Sequence, residues 1–102
     1  MKPVFEFKAV MDQVKVYFDR IVLTPTGIKS WAVDGANEIL FKNIKDIQFQ
    51  EATLLTKGFI YLSTSVAESG KPMTLYRAGS DKNTFIFKSD ALLEAQKIHD
   101  YI

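Results

Sequence analysis

Between Gln13 and Lys88 the apolar residues fall into short runs of four to six, separated by turn-forming residues, and after Ser89 the spacing changes to that of a helix. Runs this short, with side chains alternating between two faces, cannot bury enough surface alone and must be layered into antiparallel sheets. The single change of period predicts one helix at the C-terminal end. The expected class is therefore mostly β (α+β), with about seven strands and a closing helix.

The clearest hairpin signal is Val14-Lys-Val-Tyr-Phe18, a turn at Asp19-Arg20, and Ile21-Val-Leu-Thr24. A loop of two or four residues places Val14, Val16, Phe18, Ile21 and Leu23 on one face. From Pro25 to Gly35 the chain reads as a long connection of unusual apolar content, holding Ile28, Trp31, Ala32 and Val33. Glu38–Phe41 and Ile44–Phe49 follow, and the brevity of Lys42-Asn43 predicts that they are antiparallel neighbours. Gly58–Ser63 is apolar on both faces, as in a strand covered on two sides. Met73–Arg77 and Thr84–Lys88 read as weaker strands, with turns at Glu68–Lys71 and Ala78–Asn83.

In the last segment Leu92, Ala95, Ile98, His99 and Ile102 share one helical face, while Glu94, Lys97 and Asp100 lie opposite. Ser89 or Asp90 is the expected N-cap, and residues 89–102 the capping helix. Phe5 and Phe7 alternate within residues 1–9, which predicts an N-terminal arm or extra strand. No linker or repeat divides the chain, so its 102 residues read as one domain with one core.

Thirteen Lys and Arg against twelve Asp and Glu leave a formal charge of +1, which offers no field to attract nucleic acid or an anionic surface. The absence of cysteine excludes disulfides and thiolate metal sites. Glu6 and Lys8 interrupt the apolar residues of the N-terminus, so no leader or membrane span is expected and the predicted location is cytoplasmic.

The runs Gln13-Val-Lys-Val-Tyr, Asp19-Arg-Ile-Val, Glu38-Ile-Leu-Phe, Asn43-Ile-Lys-Asp-Ile-Gln-Phe, Gly58-Phe-Ile-Tyr-Leu and Asn83-Thr-Phe-Ile-Phe occur in an order that resembles the short bacterial pleckstrin-homology-like domains of unknown function. The spacing of Ile44, Ile47 and Phe49 before Gly58, and the Asn83 run before the helix, are its most telling pieces. The resemblance implies a partly open barrel of two near-orthogonal antiparallel sheets, capped at one end by the C-terminal helix. Eukaryotic domains of this kind that bind phosphoinositides carry a Lys and Arg cluster on the first hairpin. Here that turn offers Lys15 and Arg20 beside Asp19, a poor trap for phosphate.

Chemistry finds little support among these residues. The single histidine, His99, lies at the edge of the helical face and has no evident nucleophile or orienting group. The six serines include no nucleophile elbow. Asp19, Asp34, Asp46, Glu51, Glu68 and Asp81 are scattered singly, and neither a calcium loop nor a phosphate cradle occurs. The expectation is a non-enzyme without metal, cofactor or small-molecule substrate.

The surplus is apolar. Ile28, Trp31 and Val33 in a loop, Leu54 and Leu55 in a turn, and Phe59 and Tyr61 on the second face of their strand exceed what one interior needs. They either fold back over the sheet or form an apolar patch for a partner. The functional expectation is an interaction module that self-associates or binds another protein through these seven residues. The alternative is peripheral membrane binding, with Leu54, Leu55 and Trp31 at the headgroup boundary and Lys57 and Lys29 on anionic lipid.

Overall fold

A computed structural model describes residues 2–67 and 71–102, so the expected turn at Glu68–Lys71 lies largely outside the described residues. Strands β1 (Phe5–Lys8), β2 (Asp12–Val16), β3 (Arg20–Pro25) and β4 (Asn37–Leu40) form one antiparallel sheet in sequential order. Strands β5 (Asp46–Gln50), β6 (Gly58–Ser63) and β7 (Thr84–Phe87) form a second. Helix α1 (Lys29–Ala32) interrupts the β3–β4 connection, α2 (Leu75–Ala78) precedes β7, and α3 (Leu92–Tyr101) closes the chain. The sheets do not join into a closed barrel. The backbone N–H of Val10, in the turn after β1, reaches across to the Ile86 carbonyl at 2.8 Å.

The first hairpin has the predicted parity, with Val16 opposite Ile21, Val14 opposite Leu23, and all four buried. Phe18 departs from that face. Tyr17 N–H donates to the Arg20 carbonyl at 2.7 Å, so Phe18 and Asp19 form the tip and the Phe18 ring is exposed. The N-terminal arm is a strand, β1, and its Phe7 ring meets Phe85 of β7 edge-on at 5.8 Å across the core.

Three other expectations are corrected. Glu38–Phe41 and Ile44–Phe49 supply β4 and β5, but these are not neighbours: a 3₁₀ turn at Phe41–Asn43 redirects the chain from one sheet to the other. Met73–Arg77 is not a strand. The Thr74 hydroxyl accepts the Arg77 N–H at 3.2 Å and starts the helical turn α2 in the way an N-cap does. Neither Ser89 nor Asp90 caps α3 by its side chain, because Ser89–Ala91 form a 3₁₀ turn leading into that helix.

The inner core lies between the sheets and under α3, which contributes Ala95 and Ile98 beside Ile60, Leu62, Phe85 and Phe87. A second core lies on the other face of β6 and β7. There Phe59, Tyr61 and Ile86 are covered by Met73 and Ala78, with Val10, Met11 and Leu75 packed alongside. This explains why all six residues of β6 are buried.

Candidate functional site

With the second core in place, the apolar surplus sorts into covered and uncovered residues. Phe59 and Tyr61 belong to that core and Val33 is also buried, so none of these three offers a surface to a partner. Ile28, Trp31, Leu54 and Leu55 remain outside, with Trp31 at 86% exposure and the two leucines at 95% and 98%. They occupy two places. Helix α1 is tied to Thr84 at the start of β7, whereas the Leu54–Leu55 turn borders Lys88 and Ser89 just beyond its end. The length of a four-residue strand, about 13 Å, separates those ends, so these four residues form two separate apolar points where the sequence predicted one patch.

Helix α1 is too short to hold itself, since one turn does not repay the entropy of its own nucleation. Its shape comes from its surroundings. Gly27 and Gly35 bracket the segment with φ of +60° and +68°, a left-handed conformation that glycine adopts without strain. Ser30 and Trp31 donate their N–H groups to Gly27 and Ile28, and Val33 N–H donates to Lys29. Tertiary anchorage comes from Lys29, whose side chain runs inward from the helix. Its Nζ donates to Asp12 Oδ2 at 2.6 Å and to the Thr84 carbonyl at 2.5 Å.

Both members of this ion pair are buried, at 1% and 2% side-chain exposure. Burial pushes the Asp12 carboxyl above the ordinary aspartate range, and the hydrogen bond and charge of Lys29 pull it partly back. Lys29 therefore cannot reach a lipid surface as the sequence reading required. It joins α1 to both sheets, through Asp12 of β2 and Thr84 of β7. Asn37, at the start of β4, adds a nearby tie by donating to the Lys82 carbonyl at 2.9 Å and to Asn83 Oδ1 at 2.6 Å.

The second apolar point is a tight turn stiffened by Thr53. Its hydroxyl accepts the N–H groups of Leu55 and Thr56 at 3.2 and 3.0 Å, and its own N–H donates to the Thr56 carbonyl. A cleft of about 240 Å³ lies between this turn and Lys88-Ser89, with Lys57 also on its wall.

The other singled-out residues are accounted for by their partners. Arg20 grips both oxygens of Asp19 at 2.9 Å and reaches Glu38 at 2.8 Å, leaving its charge matched. The Asp19 carboxyl is held below its usual range by the hydrogen bond from Arg20, and the guanidinium is pushed up in return. His99 sits on the rim of α3, edge-on to Phe49 at 5.1 Å, with Nδ1 3.4 Å from Asp100. Among the described residues no group of three or more His, Asp or Glu could hold a metal ion, and no helix is long and apolar enough to cross a membrane.

Sequence reading missed Asp12 and the exposed ring of Tyr76 on α2, and it placed Lys29 on a lipid surface where the fold buries it against Asp12. Thr74 before four helix-compatible residues and Gly79 was the signal for α2. Nothing in the sequence pairs Lys29 with a residue seventeen positions earlier. No family model, curated protein or solved structure matches the chain.

Proposed function

We propose that the chain is a non-enzymatic interaction module of pleckstrin-homology-like architecture that docks a protein partner, in the simplest case a second copy of itself, through Trp31 on α1 and Ile28 immediately before it. The observation that supports this most is the exposure of the single tryptophan on a helix anchored by a buried ion pair. Tryptophan is among the most buried residues on average and the one most enriched at interface hot spots. With its backbone held in place, it docks with a smaller loss of conformational freedom than a residue on a loose loop. The architectural part is supported by the four-plus-three strand order and by α3 packing on the inner core.

Light scattering coupled to size exclusion tests this reading over a concentration series. A defined oligomer is expected, and Trp31→Ser should dissociate it without changing the fold. A wild-type chain that stays monomeric at high concentration, or a variant that assembles equally well, overturns self-association through α1.

A second reading rests on the other apolar point. Leu54 and Leu55 project from a stiff turn beside exposed Lys57 and Lys88, an arrangement that also suits a shallow contact with an anionic bilayer. Flotation with phosphatidylserine vesicles at low salt tests it, and a chain that stays with the soluble fraction ends it.

A further inference from the structure

A buried ion pair is an inefficient way to hold a helix onto a fold. Taking both charges out of water cancels much of their attraction, and apolar residues of similar volume commonly hold as well or better. What the pair supplies is direction. The Lys29 ammonium has two fixed acceptors, Asp12 Oδ2 and the Thr84 carbonyl, on different sheets, and satisfying both sets the rotation and the height of α1. An apolar side chain would fill the same space over a range of helix rotations. Each residue of rotation moves a helical side chain by about 100°, enough to swing the Trp31 ring away from its present outlook.

The geometry points to Lys29 and Asp12 as positioning residues, whose role is to hold α1 in the one orientation that presents Trp31 and Ile28 outward. This rests on the docking role proposed for Trp31, and it accounts for two features that role alone does not. One is the pair of left-handed glycines, Gly27 and Gly35, which bracket the segment with residues whose backbone no side chain restricts. The other is the use of lysine where the bracketed segment meets the interior.

The test is hydrogen exchange on the monomeric chain at high dilution, with the Asp12→Leu, Lys29→Met double variant. The Ser30, Trp31 and Val33 amides bond only within the segment 27–33 and so report its local opening. The expected result is a melting temperature at or above that of wild type, with those three amides exchanging at least about tenfold faster and the strands unchanged. Unchanged exchange at the three amides overturns the inference. A lowered melting temperature with faster exchange throughout also overturns it, because the pair would then be a support of the whole fold. Should the double variant not fold, Lys29→Met alone, which removes both Nζ bonds and leaves a carboxyl that a proton can neutralise, is judged by the same three amides. Exchange is read on the isolated chain, so a failure of self-association refutes the docking role and leaves the positioning role standing.

Discussion

The outer face of β6 and the helix α1 carry the same kind of surplus, large apolar side chains beyond the needs of the inner core, yet the fold treats them in opposite ways. Phe59 and Tyr61 are roofed by α2 and by the turn after β1, within the same chain. Ile28 and Trp31 are left outside, while Lys29, one of the two residues between them, is drawn inward by a charge. Apolar surplus is thus not by itself a sign of an interface. What distinguishes the two regions is whether the chain supplies its own cover.

The contrast can be broken by truncation. Phe59→Ala opens a hole in a packed layer and is expected to cost about 3–5 kcal/mol in urea unfolding, whereas Trp31→Ala should lie within about 0.5 kcal/mol of wild type as a monomer. Comparable losses at both positions would mean that Trp31 is covered by its own chain. Asp12→Ala belongs with the large effects, at about 3–5 kcal/mol, because it strands the Lys29 ammonium in the interior. A loss below about 1 kcal/mol would place that pair in solvent.

Two glycines sharpen the comparison at smaller amplitude. A Cβ on Gly58 would come within 2.3 Å of the Gln50 carbonyl and 2.7 Å of Ala52 N, both backbone atoms that cannot turn aside. Gly58→Ala is expected to cost about 1–3 kcal/mol or more. At Gly27 a Cβ would meet nothing within 4 Å, and the cost comes only from φ of +60°, about 1 kcal/mol in thermal unfolding. Equal effects at the two positions would contradict the close approach of β5 to the start of β6.

The smallest effect is that of pH on the buried pair. Burial raises the Asp12 carboxyl, so the native chain binds that proton more tightly than the unfolded chain. The resulting contribution to stability is fully present below the ordinary aspartate pKa, roughly 4, and is lost as the pH rises through the native value. The stability advantage of wild type over Asp12→Asn should therefore shrink as the pH rises through this range. An advantage that grows with pH would show that the attraction of Lys29 outweighs burial.

The elements legible in the sequence were those whose period was enforced by burial. Val14, Val16, Ile21 and Leu23 alternate because a slip of one residue would turn them to water, and the registers of β2 and β3 follow. The two-sided apolar run of β6 predicted its double cover, although not that α2 would supply it. The β4–β5 connection misled because loop length records proximity along the chain, while a 3₁₀ turn at Phe41–Asn43 changes the sheet. The candidate site was half legible. Trp31 and Ile28 stand out by type, but their exposure depends on the contact between Lys29 and Asp12, and side chains that meet only in the folded chain leave no periodic trace.

The presentation of Trp31 is tested most directly by its own fluorescence, read together with molecular mass across dilution. Red-shifted, quencher-accessible emission is expected in the dilute monomer, and a blue shift with protection should follow the rise in mass at higher concentration. Emission that is already blue and protected in the monomer would contradict the exposed ring, and emission that stays red and accessible while the mass rises would contradict its role as the docking point.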